Sequence, residues 1–516
     1  MSELFKKIIF LKFSCNYSAF LCFVVNMISN RDMIDTRDSL LWDISEASGK
    51  YAGRTAMVIE DISYTYGQLF GRVRQIYREL LQEKSNIIGI VAENNIETYA
   101  SILAVLFAGK TYVMLHPSFP KNRIEQIISD AGIGYTIDNN RQEKAELKEN
   151  VAPEIIASHQ YAYIIFTSGS TGKPKGVPIS RENLNAFYSA YGKLGWHLDE
   201  NDRMLQMFEL TFDVSVVSFL YPLTFGAAVY TVSSEGFKYL NVLDVMDTYR
   251  ITFAAIAPSI LRLTRPYFDN ILFPDLKYLV VTAEATDVSI LSDFRLCIPQ
   301  ATVVNLYGPT ESTIYCTSYV IPHEHAKHQN GIAIIGKPFD GIDVMIMDEQ
   351  GHPVGNGQTG ELWVSGGQVM DGYWHDEANS TTSLVRYTDG KVYYKTGDIC
   401  RRDDDGDLYY YGRKDSQVKI QGFRIELGEI EYQVKQYYGG KVNAVVIPLY
   451  MEKGLCELQL VIEKKEESTV GLEQYLQSHL PSYMMPKQIH FMVRFPLNNN
   501  GKTDKKRIND LIKNNR

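Results

Sequence analysis

The chain is poor in cysteine: six (Cys15, Cys22, Cys297, Cys316, Cys400 and Cys456) are scattered through 516 residues, with no CxxC pair and no His-rich spacing. That spacing suggests neither a zinc site nor a disulfide framework, and a reducing cytoplasmic compartment is the expectation. An excess of positive charge is also missing. A net charge of -9 gives no general attraction to nucleic acid or an anionic membrane, so neither partner is expected. There is no repeat at a solenoid period and no low-complexity tract. One apolar stretch, Ile8–Ile28, follows Lys6 and Lys7 in the manner of a signal or anchor. Lys12 and Asn16 interrupt it, and no small-residue cleavage site follows. Residues 1–35 therefore read as an atypical N-terminal extension, with Met27 or Met33 as alternative starts.

What is present is a soluble, globular composition, 45% hydrophobic and 22% charged, in a chain too long for one ordinary core. From Tyr51 to Leu306 short β-rich runs alternate with helix-length amphipathic segments: Ile87–Ala92, Thr111–Leu115, Tyr161–Phe166, Ala228–Val232, Thr252–Ile256, Tyr278–Thr282 and Thr302–Leu306. That alternation predicts a layered α/β body. Between Ile332 and Tyr411 closely spaced strands (Ile342–Met347, Glu361–Val364, Val392–Lys395, Leu408–Tyr411) alternate with Gly- and Asp-rich turns, predicting a β-barrel-like subdomain. A compact α+β unit is expected from Ser416 onward, with helices at Glu426–Tyr438 and Gly471–His479 and strands at Val442–Pro448 and Leu458–Ile462. The expected division is thus a core over 36–412, a hinge at 413–416 and a small mobile C-terminal domain over 417–516.

Directly after Tyr161–Phe166 comes TSGSTGKPKG (Thr167, Ser168, Gly169, Ser170, Thr171, Gly172, Lys173 and onward). Glycine lets backbone N–H groups approach phosphate oxygens, hydroxyls donate, and lysine supplies charge. It is not a Walker loop, because only two residues separate Gly169 from Gly172 and Lys173 precedes proline. From the residues alone, an anion-binding turn and an ATP site fit equally well.

This run resembles the phosphate loop of the adenylate-forming superfamily of acyl-CoA synthetases, luciferases and nonribosomal peptide synthetase adenylation domains. The similarity continues in order through AGKTYVMLHPSFPKNRI (Ala108–Ile124), FDVS (Phe212–Ser215), NLYGPTES (Asn305–Ser312), GELWVSG (Gly360–Gly366), YKTGD (Tyr394–Asp398), GRKDSQVKIQGFRIELGEIE (Gly412–Glu431) and NNNGKTDKK (Asn498–Lys506). It spans roughly Leu40 to Arg507. Within the superfamily the chain looks like a stand-alone amino acid adenylation enzyme or a D-alanine–carrier protein ligase.

The resemblance implies that ATP and Mg²⁺ are used, with Glu311 on the metal, Thr310 at the α-phosphate, Tyr307 against the adenine face and Asn305 at its edge. It also implies that Asp398 accepts from the ribose hydroxyls, a role suited to an acceptor-only carboxylate, with Arg413 nearby. Lys502 looks like the adenylation lysine that bridges carboxylate and α-phosphate. Taken singly, Glu311 and Asp398 would pass for solvated loop acids and Lys502 for an exposed basic tail. Asp415 resembles the family hinge, about which the C-terminal domain turns to a second pose for thiol attack. There Lys419–Gly422 would replace Lys502, Gly422 leaving room for a pantetheine arm and Arg424 contacting a phosphate.

Phe212 and Asp213 are the best clue to substrate class, because Asp213 stands where amino-acid-activating relatives hold the α-ammonium. Without a cation, a buried carboxylate there costs several kcal/mol. The alternative is that Asp213 caps the helix starting near Val214. Val214, Val217, Leu306, Ile314 and Tyr315, with Ala255 and Val280 less securely aligned, form an apolar set that favours a small or medium uncharged side chain. Arg181, Thr282–Glu284 and His116 depart from the family pattern and are expected to alter the floor of the nucleotide site slightly. No condensation, carrier or thioesterase segment fits within the chain, so the expected partner is a separate phosphopantetheinylated carrier protein. The alternatives are an acyl- or aryl-CoA ligase and, more remotely, a non-catalytic nucleotide-binding protein.

Overall fold

A computed structural model of the chain describes residues 38–138, 155, 161–169, 173–233, 235–414, 417–450, 456–496 and 503–514. The expected extension over 1–35, and Ser170, Thr171, Gly172, Asp415 and Lys502, lie outside the described residues. Among the described residues no helix is long and apolar enough to cross a membrane.

Two sheets form the large α/β body. The first runs Tyr135–Ile137, Ile87–Val91, Thr111–Leu115, Tyr161–Thr167, Lys175–Ser180. Its first four strands are parallel and the last is antiparallel. Thr111–Leu115 is buried at every position, as a central parallel strand covered by helices must be, which is why it reads as an apolar run without alternation. The second sheet has nine strands, with Thr302–Tyr307, Tyr278–Val281, Phe253–Ile256, Arg203–Gln206 and Ala228–Thr231 parallel at its centre. The predicted strands fall within one or two residues of these bounds; Lys175–Ser180, Arg203–Gln206 and Thr317–Ile321 are among the strands outside the predicted set.

Helix starts follow local chemistry. Asn95 accepts from the Thr98 N–H at the head of Ile96–Phe107, and Thr65 with Gln68 and Ser180 with Asn183 form capping boxes. Ile96–Phe107 is buried almost all round, packed against Tyr66–Leu80 inside the principal apolar core.

The predicted barrel-like region is a five-stranded antiparallel sheet ordered Ile342–Met347, Thr359–Gly366, Val392–Arg402, Leu384–Arg386, with Leu408–Arg413 also pairing to Val392–Arg402. After it comes a tight hairpin, Gln417–Ile420 with Phe423–Glu426, then helix Leu427–Tyr437 and a sheet of Ala444–Tyr450, Cys456–Glu463 and Gln488–Met492. This last group has its own apolar core, including Ile425, Ile430, Val434, Leu460 and Leu476.

Candidate active site

The loop 168–174 joins two antiparallel strands, with Thr167 paired to Lys175, rather than opening a helix. The approach of Gly169 to Lys173 needs glycine, since an added Cβ would lie 2.0 Å from the Lys173 carbonyl oxygen. Lys173 is exposed. Asn305, Leu306 and Tyr307 end a central parallel strand, the usual place for a ligand crevice in an open α/β sheet. Gly308 then turns the chain against Ile314 and Tyr315; a Cβ there would meet the Ile314 carbonyl oxygen at 2.5 Å. Thr313 and Ile314 follow with φ of 56° and 70°. For a β-branched residue such as Ile314 that conformation is strained, and the fixed turn holds the short helix Thr310–Ser312 under the strand end.

Asp398 and Arg413 stand opposite each other in the antiparallel ladder and form an ion pair at 3.1 Å. The second oxygen of Asp398 accepts from the Tyr307 hydroxyl. Burial, with the Asp398 charge adding to it, pushes the Tyr307 hydroxyl well above its usual range, so the phenol stays a donor. A cleft of about 450 Å³ is lined by Asn305, Tyr307, Asp398, Arg413, Lys419 and Glu284. That volume is of the size of small-molecule sites. Asn305 is itself buried, donating to the Ile334 carbonyl at 2.8 Å.

The hairpin Gln417–Glu426 enters this cleft. Its two-residue tip, Gln421–Gly422, has φ of 52° and 82°, as a turn with both central residues left-handed requires. The Gly422 N–H donates to Glu284 at 2.7 Å, and an added Cβ at Gly422 would lie 3.8 Å from the Ala257 Cβ. Lys419 places its ammonium 5.8 Å from the Tyr307 ring centroid. Burial pulls its pKa down, opposed mainly by Asp398. Arg424 reaches Glu311 at 2.7 Å, and Tyr373 donates its hydroxyl to the other Glu311 oxygen at 2.9 Å. Burial is the largest single influence and would raise the Glu311 carboxyl, but the Arg424 charge, its hydrogen bond and those from the backbone and Tyr373 together hold the acid down at about 2.

Asp213 is buried at the head of helix Val214–Leu223. It occupies the N-cap position but makes no side-chain capping bond, so the capping alternative does not hold: its backbone is helical rather than extended. Desolvation raises its carboxyl to about 6, offset by a hydrogen bond with Thr310 and by the more distant charge of Lys419. Val214, Val217, Leu306, Ile314 and Tyr315 are all buried, as are Ala255 and Val280. Phe212, singled out together with Asp213, meets the hairpin. Its ring packs edge-on against Phe423, centroids 5.0 Å apart, with Tyr483 stacked beyond, because the docked hairpin offers it an aromatic face.

Arg181 lies elsewhere than expected. It is buried beneath the body, donating to the Leu106 and Lys110 carbonyls and pairing with Asp38, which satisfies the C-terminal end of Ile96–Phe107 rather than the nucleotide floor. His116 pairs with Glu209 at 3.3 Å. Three contributors had no assigned role: Tyr373, and the buried pair Arg123–Glu429 at 2.5 Å, which joins the body to helix Leu427–Tyr437. Arg123 and Glu429 both lie inside the motifs quoted above; a charged residue amid apolar periodicity was the available signal. Ser168 adds a further tie, donating to the Arg424 carbonyl and accepting from the Glu426 N–H, each at 3.0 Å.

The profile of the family described as AMP-binding enzyme matches residues 44–374. The D-alanine–D-alanyl carrier protein ligase of Bacillus licheniformis is 30% identical over 489 residues, covering 89% of this chain and 96% of that protein. Tyrocidine synthase 3 of Brevibacillus parabrevis is 31% identical over 490 residues, covering 90% of this chain. This chain spans only 7% of that synthase's length. Among solved structures, the Vibrio cholerae adenylation domain AlmE in complex with glycyl-adenosine-5'-phosphate superposes with a TM-score of 0.82 at 23% identity, covering 92% of this chain and 98% of that one. PA1221, a protein with adenylation and PCP domains, gives 0.79 at 22% identity, covering 92% of this chain and 84% of that one.

Proposed function

This chain belongs to the AMP-binding enzyme family, and from that premise we propose that it activates an amino acid as aminoacyl-AMP with release of pyrophosphate, then passes the aminoacyl group to the phosphopantetheine thiol of a carrier protein in the cytoplasm. Asp213 carries the reading. Its carboxylate is buried and hydrogen-bonded with Thr310 and the Val214 N–H, and Lys419 acts on it through its charge without a hydrogen bond. An amino acid's ammonium supplies the missing charge, whereas a plain carboxylic acid leaves it unpaired. The D-alanine ligase and the glycyl-adenylate complex name small amino acids for those proteins, and the buried apolar set behind Asp213 suits a side chain of that class here.

In this account Asp398 and Arg413 bind and orient the ribose of ATP, Tyr307 and Asn305 flank the base, and Thr167, Ser168, Gly169 and Lys173, with 170–172, receive the phosphates. Glu311 fits a magnesium site in the chemistry of its donor: it is a buried carboxylate below the end of the strand Thr302–Tyr307, and Mg²⁺ typically takes one or two carboxylates plus phosphate oxygens. When bound, the ion would neutralise charge on the polyphosphate. The substrate carboxylate attacks the α-phosphorus, the bond to the bridging oxygen breaks, and pyrophosphate leaves; Lys502 is assigned the charge that brings the two anions together. The thiol then attacks the acyl carbonyl and AMP leaves. For that half-reaction Asp415 is assigned the hinge and Lys419 the place of Lys502, which the position of Lys419 in the lining of the cleft, its ammonium 5.8 Å from the Tyr307 ring centroid, supports.

A pyrophosphate-exchange screen over L- and D-amino acids and simple acids tests this. Exchange that needs an amino acid and falls away in Asp213→Asn supports it. CoA-dependent AMP release with a plain carboxylic acid, indifferent to Asp213→Asn, assigns an acyl- or aryl-CoA ligase instead. No substrate-dependent exchange would leave a non-catalytic nucleotide-binding protein.

A further inference from the structure

Glu311 and Arg424 are 113 residues apart in the chain and meet at 2.7 Å in a site where the acid is 1% and the guanidinium 16% exposed. Tyr373 occupies one Glu311 oxygen and Arg424 the other. A divalent cation placed on this carboxylate would face a guanidinium at contact distance with little water to screen the repulsion. The same docked segment answers the phosphate loop with opposite charge. Glu429 accepts from the Gly169 backbone N–H, a donor a polyphosphate oxygen would use, while Arg123 balances it. Ser168 is held at the same time by the Arg424 carbonyl and the Glu426 N–H. The docked segment thus sets a cation against the acid of the site and an anion against its loop.

We propose that Arg424 and Mg²⁺ compete for Glu311, so that the hairpin Gln417–Glu426 docks only where the metal, with the pyrophosphate it accompanies, has left. This rests on the reading of Glu311 as the metal ligand. It makes Arg424 a positioning residue that couples loss of the metal to the start of thiol transfer, rather than the phosphate contact suggested by resemblance. The competition is between two cations for one carboxylate, and no other part of the hairpin is required to sense the ion.

Hydrogen exchange of the full chain, read at the amides of 417–426, tests it with magnesium chloride and pyrophosphate against pyrophosphate with EDTA, potassium chloride matching ionic strength. The expected result is exchange about tenfold faster or more with the metal, while amides of Val434 and Leu460 in the adjoining core stay protected. Glu311→Gln and Arg424→Gln should both abolish the difference. Hairpin exchange indifferent to metal in the unaltered chain, or a metal response surviving in Glu311→Gln, overturns the proposal. AMP binding, followed in parallel by calorimetry, separates the two levels. Binding with a metal-blind hairpin removes only the competition, whereas no binding removes the nucleotide site and the competition with it.

Discussion

The two halves of the cleft are built by different physics. Asn305, Tyr307 and Asp398 are fixed by ladders: a central parallel strand and an antiparallel pair set their positions through backbone hydrogen bonds and a continuous apolar core. Lys419 and Arg424 arrive on a hairpin whose hold on the body includes charge pairs, single hydrogen bonds and an aromatic contact through Phe212. A core contact is lost only by unfolding, but polar contacts at a docking surface exchange readily for solvent or ligand. The fixed half therefore suits binding, and the docked half suits the exchange of poses proposed for it.

Lys502→Ala gives the largest expected separation of the halves: pyrophosphate exchange should fall by ~10²–10³ or more, while transfer from a supplied adenylate stays largely intact. Equal loss of both half-reactions would break the division.

Asp213 tests the fixed half. Its folded-state pKa is raised, to about 6, so ionisation is disfavoured in the fold and any stability it lends is present at low pH and lost as pH rises through about 6. Substrate binding has the opposite sign, since the ammonium needs the ionised acid. The amino acid KM should rise about tenfold per pH unit below about 6, and Asp213→Asn should raise KM by about 10² with little pH dependence left.

Arg123→Met strands Glu429 without its partner in the docked arrangement, and losing one member of a buried pair costs ~3–5 kcal/mol. Carrier aminoacylation should fall while pyrophosphate exchange persists. The smallest effect is expected from Gly422→Ala. The space around its Cβ is ordinary, so the cost is that of φ near 82°, about 1–2 kcal/mol. Thiol transfer should slow by about tenfold and exchange hardly at all.

Legibility in the sequence follows the same division. Ile87–Val91, Thr111–Leu115 and Tyr278–Val281 read plainly because strands buried on both faces are apolar throughout. Lys175–Ser180 escaped because its head is also the tail of the phosphate loop, and glycine and proline masked its β character. The docking hairpin has strands of four residues, too short for periodicity to announce them. Arg181 lies away from the nucleotide floor for a physical reason: a motif fixes where a residue sits in the chain, while neighbours brought in by folding decide where its side chain turns. Arg123 and Glu429 lie 306 residues apart, and nothing local marks them as partners.

The most direct measurement is a reversible lock on the docked half. With a Cβ at Gly422 placed 3.8 Å from the Ala257 Cβ, Ala257→Cys with Gly422→Cys meets disulfide spacing, and Cys456→Ser removes the thiol lining the same cleft. Oxidation should abolish pyrophosphate exchange and dithiothreitol should restore it, because under the proposed assignment adenylation needs the hairpin to leave the cleft. An oxidised, fully cross-linked chain that still exchanges pyrophosphate at the reduced rate would contradict the account.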